Sequence, residues 1–239
     1  MRLTFAPLVL ALAVPVAAEE LFIPMVAQKQ GLEGSWWNTE VWVTNTSAAT
    51  GSYAVVFLPA GQANAEGLRE EPIGEDLPPG VTVYRDDLVP QGGSGALRIV
   101  TSPGVLVFGR VFNSAGRGSV GEAKLALPRS TALRPGEVGH LLGLRRTPQF
   151  RTNLAFFNPS LEPGTVRVRL VGPAGEEVGD ASYRVAPGES IQIDDALHAF
   201  GVGRGENLRG EVSATVPLFA FGSVVDSRSG SPTLVPPLR

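Results

Sequence analysis

The chain has 239 residues, a formal net charge of −3 and no cysteine. Without thiols there is no disulfide framework, no thiolate nucleophile and no cysteine-based zinc site, and the acidic balance is not that of a nucleic-acid-binding domain. The 29 glycines and 20 prolines fall between short apolar runs as turn punctuation, and no stretch sustains a 3.6-residue period, so the composition is all-β.

At the N-terminus, Arg2 precedes the apolar run Leu8–Val14. Val16 and Ala18 stand at the −3 and −1 positions of a cut before Glu19. This pattern predicts a secretory signal peptide over residues 1–18. No later apolar run approaches the ~20 residues of a membrane-spanning helix. The expectation is an exported protein, periplasmic or extracellular, with no stable membrane insertion after cleavage.

Leu21-Phe22-Ile23-Pro24-Met25-Val26 reads as a first strand, with Pro24 marking an edge. Trp36–Asn45 alternates apolar and polar residues into a Ser47–Gly51 turn, and Tyr53–Leu58 closes on Pro59-Ala60-Gly61. After an acidic irregular stretch at 62–76, Pro78-Pro79-Gly80 turns into Val81–Arg85 and Asp86-Asp87. Gly95–Val100 and Val105–Phe112 are expected to pair through a Thr101–Gly104 turn, and Ala123–Leu127 ends the unit.

The same order then returns. Thr39, Val41 and Asn45 match Thr152, Leu154 and Asn158, and Pro59-Ala60-Gly61 matches Pro173-Ala174-Gly175. Asp86-Asp87 matches Asp194-Asp195, and Phe108-Gly109 matches Phe221-Gly222. Equal spacing separates Thr39 from Thr152 and Phe108 from Phe221. Each unit holds about seven short strands with turns between them. The predicted fold is all-β: two tandem immunoglobulin-like antiparallel β-sandwich domains over 19–128 and 138–239, joined by a linker at 129–137.

Matched positions in two diverged copies serve the shared fold, so features of one copy are the functional candidates. Trp37, Thr39, Val41, Val43 and Asn45 share one strand face and have counterparts in the second unit. The opposite face carries Trp36, Glu40 and Trp42, set against Gln149, Asn153 and Ala155. Trp36 and Trp42 either cover the domain junction or the acidic loop, or form a binding surface with Glu40, such as an aromatic platform for sugar or a protein partner. The paired aspartates point apart on a strand, so neither pair is an acid–base dyad. They read as strand-end caps, Asp195 capping one helical turn, with calcium ligation as the alternative.

His140 and His198 are the only histidines, and no nucleophile elbow, zinc-protease motif or phosphate loop is present. No catalytic residue, cofactor or metal site is expected. Ile23-Pro24, the Trp-x-Thr-x-Val strand, Leu77-Pro78-Pro79-Gly80, Ser94-Gly95-Ala96-Leu97 and Phe221–Thr233 resemble uncharacterised secreted bacterial tandem β-sandwich repeat proteins. The resemblance spans nearly all of residues 20–239 and implies a β-sandwich without an activity. The sequence-level expectation is a non-catalytic structural or interaction protein with a protein or polysaccharide partner and no nucleic acid. The alternative is a periplasmic chaperone-like protein holding subunits in an inter-domain cleft. A carboxylate-based hydrolase or carbohydrate-binding module is the less favoured reading.

Overall fold

The computed structural model describes residues 18–114 and 118–239. The predicted signal peptide, apart from Ala18, lies outside them. In the first half the strands are β1 (Glu19–Gln30), β2 (Trp36–Asn45), β3 (Gly51–Pro59), β4 (Glu75–Leu77) and β5 (Thr82–Arg85). They continue with β6 (Gly93–Thr101), β7 (Val105–Asn113), β8 (Val120–Leu125) and the two-residue β9 (Leu127–Pro128); helix α1 is Ala65–Arg69. The second half has β10 (Gly139–Arg146), β11 (Phe150–Phe157), β12 (Gly164–Val171) and β13 (Glu177–Val185). It ends with β14 (Ser190–Ile193), α2 (Ala196–Ala199), β15 (Gly205–Ala214), β16 (Phe219–Asp226) and β17 (Pro232–Val235). Every strand pairing is antiparallel, and no described helix is long and apolar enough to cross a membrane.

In the first half, β4-β3-β6-β1 forms sheet I and β5-β2-β7-β8 forms sheet II; β1 connects them through Lys29↔Trp37 and Gln30↔Trp36. In the second half, β13-β12-β15-β10 is sheet III and β14-β11-β16-β17 is sheet IV. The two halves thus repeat one strand order. That order differs from the immunoglobulin one, in which consecutive strands A and B, and F and G, lie side by side. Here the first strand of each half lies beside the sixth and the second beside the seventh. The predicted β6–β7 hairpin does not form. β6 pairs with β1 and β3 while β7 pairs with β2 and β8, so the 101–104 turn crosses between sheets.

Alternation decides which side chains enter the core. Thr39, Val41, Val43 and Asn45 are buried, as are Thr152, Leu154, Phe156 and Asn158. One cluster, including Ile23, Val41, Leu97 and Val111, fills the space between sheets I and II. Another, including Leu141, Phe156, Val168 and Val212, lies between III and IV. Pro24 lies on a locally unpaired edge, as expected: it pairs with Ala96 of β6, whereas β9 pairs only with residues 21–22 of β1 and β2 only with 29–30. The register shifts between Pro24 and Val26, where Met25 adopts a left-handed φ of 62°. A bulge tolerates the missing proline N–H and bends the strand from one sheet toward the other.

A third cluster joins the halves. Phe22, Leu58 and Ala96 on the outer face of sheet I pack with Phe157 and Phe219 of sheet IV. Four layers result, in the order II, I, IV, III. Residues 129–137 pack into this arrangement, with Ala132 and Leu133 buried and Leu133 bridging to Leu218. The outer face of sheet III, which corresponds to the joining face of sheet I, carries ion pairs from Arg167 to Asp180 and from Arg169 and Arg209 to Glu211. Apolar residues on one sheet and paired charges on its counterpart account for the joint forming on that side alone.

Candidate functional site: an outer aromatic row and an inter-half cleft

On the outer face of sheet II, β5, β2, β7 and β8 place Tyr84, Trp42, Phe108 and Leu125 in one cross-strand line through Trp42↔Tyr84, Trp42↔Phe108 and Phe108↔Leu125. The Trp42 ring centroid lies 5.5 Å from that of Tyr84 and 5.7 Å from that of Phe108, both tilted. Such contacts between cross-strand aromatics stabilise the sheet by about 0.5–1.5 kcal/mol. The row nonetheless stays open: Tyr84 is 47% exposed, Phe108 42% and Leu125 63%. Leu106, opposite Thr44, extends the same face.

Polar groups border the row on one side. Tyr84 Oη donates to Glu40 Oε1 at 3.1 Å, and Glu40 faces Arg110 in an ion pair of 3.5 Å. The Arg110 guanidinium lies over the Phe112 ring at 4.4 Å. Partial burial, followed by the Glu40 carboxylate, pushes the Tyr84 phenol up to about 12, so it is a standing hydrogen-bond donor at neutral pH.

Of the predicted surface, Trp42 and Glu40 come together and Trp36 does not join them. Trp36 lies six residues along β2, roughly 20 Å away by strand rise, where its backbone N–H donates to Asn113 Oδ1. The aromatic joint between the halves is formed by Phe22, Phe157 and Phe219. Tyr84, Phe108 and Leu125 were missed because only strand register aligns them with Trp42. The preference for tyrosine and phenylalanine on a half-buried sheet was the available signal.

Of the aspartate pairs, Asp86 touches this row, accepting from Tyr84 Oη at 3.5 Å. Arg85 binds Asp87 at 2.7 Å and holds that carboxyl below the usual carboxylate range. Asp195 does not cap α2 with its side chain as predicted. Its left-handed backbone, φ 42°, turns the carboxylate to Arg146 at 3.0 Å, and its N–H donates to Asn153 Oδ1. Among the described residues, no group of three His, Cys, Asp or Glu side chains is arranged to hold a metal ion.

Beside the joint, a cleft of about 630 Å³ opens between the halves. Its second-half wall is the outer face of sheet IV, with Asn153, Ala155, Gln192, Phe221 and Ser223. The facing wall comes mainly from β1, β2 and β8 and includes Lys29, Trp37, Glu122 and Lys124. Lys124 is buried, pairs with Glu122 and approaches the Phe221 ring at 6.0 Å. The cleft held no residue of the predicted site, because its walls come from segments distant in the chain.

No family model matches the chain, and no curated protein does. Among solved structures it is similar to a glycosyl hydrolase family 2 member from Bacteroides cellulosilyticus DSM 14838, at 7% identity and a TM-score of 0.17. That likeness covers 83% of this chain and 26% of the other. The Ruminococcus gnavus beta-glucuronidase in complex with uronic isofagomine is similar at 11% identity and a TM-score of 0.16, over 92% of this chain and 34% of that one. The chain spans about a quarter to a third of either structure, and likeness at these TM-scores establishes neither fold nor activity.

Proposed function

We propose that this chain is an exported, non-catalytic interaction protein built from two tandem β-sandwich repeats, and that a protein partner docks on the Tyr84–Trp42–Phe108–Leu125 row. The observation that carries this reading is the row itself: a line of half-exposed apolar side chains beside a polar rim. Interface centres are enriched in such aromatic residues and rimmed by polar ones.

Repeated hydrogen bonding supports the duplication. Thr39 Oγ1 donates to Ala27 O at 2.8 Å and Thr152 Oγ1 to Arg145 O at 2.8 Å, and each hydroxyl accepts from the same residue's N–H. Asn45 and Asn158 each donate to two backbone carbonyls and accept from a serine two residues on. The pairings β2–β5 and β3–β6, with their second-half counterparts, match the B–E and C–F pairs at the centre of immunoglobulin-like sandwiches. The N-terminal pattern Arg2, Leu8–Val14 and Ala18 supports export.

A chaperone-like reading needs a strongly cationic cleft, but this lining mixes Lys29, Lys124 and Arg151 with Glu122 and Asp194, and Lys124 is paired with Glu122. A carboxylate hydrolase needs two available carboxyls flanking one bond; arginines hold Asp87 and Asp195 at separate strand ends, and of the two carboxyls lining the cleft Glu122 is paired with Lys124. The test is retention of exported proteins by immobilised wild type and by a Trp42→Ser/Phe108→Ser double variant. The reading predicts a partner retained by wild type and lost by the folded variant; equal retention by both contradicts it.

A further inference from the structure

We infer that the cleft between the halves is a saccharide-binding site distinct from the outer row. At about 630 Å³ it falls within the range of small-ligand sites, roughly 300–1,000 Å³. Both lysines of the chain, Lys29 and Lys124, line it. Each wall also has unmet hydrogen-bonding capacity: Glu122 Oε2 from the first half and Ser190 Oγ from the second are buried without a partner, and Ser190 is fully buried. An unpartnered buried oxygen costs about 1–3 kcal/mol, so two at one cleft mark it as more than a packing gap.

The lining selects the ligand class. A simple anion would meet Glu122 and Asp194, and a simple cation would meet Lys29, Lys124 and Arg151. A purely apolar ligand would leave Asn153, Gln192 and Ser223 without partners. Charges of both signs, carboxamides and hydroxyls, interleaved with the Trp37 and Phe221 rings, suit a ligand whose groups each donate and accept while its ring C–H face is apolar. That is the chemistry of a sugar. Bound there, it would contact Glu122 on one side and Ser190 on the other and hold the two halves together.

Calorimetric titration and thermal melting of the full chain would use cellohexaose, chitohexaose and an oligogalacturonate as probes, with hexaglycine as the control. At least one saccharide should bind with a Kd below about 1 mM and raise the melting temperature. Ser190→Ala should leave the unliganded melting temperature unchanged or higher, since it removes an unpartnered hydroxyl, yet weaken binding roughly tenfold. Ala155→Trp, filling the cleft, should abolish binding, and Lys29→Gln should weaken the oligogalacturonate alone. The inference fails if no saccharide binds, if hexaglycine binds instead, or if Ser190→Ala leaves affinity unchanged. Trp42→Ser should not alter saccharide binding, so failure here leaves the outer-row reading standing.

Discussion

The ring centroids of Phe22 and Phe157 lie 5.4 Å apart, and both residues are fully buried although each is on the outer face of its own sheet. Phe219 completes the group, stacked on Phe157 at 6.2 Å. Burial of these three rings makes the joint a hydrophobic core in its own right. Phe22→Ala should therefore cost about 3–5 kcal/mol, as a truncation within a domain core does. Urea unfolding followed by fluorescence and circular dichroism measures this; a loss below about 1 kcal/mol would show a joint that contributes little.

Glu20 stands beside that aromatic group and accepts from Arg98 at 2.7 Å and from Arg129 at 2.7 Å. Arg129 also lies over the Phe22 ring at 5.2 Å, and its guanidinium donates to the Pro159 carbonyl in the second half. Replacing Glu20 by Ala leaves Arg98, only 9% exposed, without its carboxylate. The expected loss is about 1–3 kcal/mol, with Glu20→Gln recovering part of it. Measuring both variants at low and high salt separates hydrogen bonding, which persists, from screened attraction.

Asn45 and Asn158 make the same bonds in the two halves, and both are fully buried. Alanine at either position strands buried backbone groups and should cost about 2–3 kcal/mol. Similar losses on chemical denaturation of the two variants are the expected outcome. Because its side-chain amide is committed to the Ala49 and Leu77 carbonyls, Asn45 should also carry no glycan despite the Asn45-Thr46-Ser47 sequon.

Tyr84 gives the row a signature at high pH. The phenol, ordinarily near 10, is raised to about 12 by partial burial and by Glu40. The unfolded chain loses this proton first, so the stabilisation is fully present below pH ~10 and is lost as pH rises through about 12. Tyr84→Phe should remove that part of the alkaline slope, and ultraviolet phenolate titration should lose its latest-titrating component. The acid side runs oppositely. Arg85 lowers Asp87 and Arg169 lowers Glu211, so their contributions hold above pH ~4 and fade as pH falls further.

The core faces were legible in the sequence because period-two alternation in Trp36–Asn45 and Phe150–Phe157 depends on local geometry alone. Strand partnership was not legible: a turn such as 101–104 reads alike whether it closes a hairpin or crosses between sheets. Phe22, Phe157 and Phe219 looked like ordinary strand residues, since nothing local marks an outer face that another sheet covers. The candidate site was half visible. Trp42 and Glu40 lacked counterparts in the second half, whereas Tyr84, Phe108 and Leu125 join them only through register.

The most direct test of partner docking on the outer row is site-specific photo-crosslinking in the exported fraction. A photoreactive residue replaces Leu125, 63% exposed at the end of the row, or Leu142, 48% exposed in the second half. The account predicts one specific cross-linked species from position 125, absent from position 142 and lost when Trp42 and Phe108 are also replaced by serine. Equal cross-linking from both positions, or a species at 125 that survives loss of Trp42 and Phe108, would contradict it.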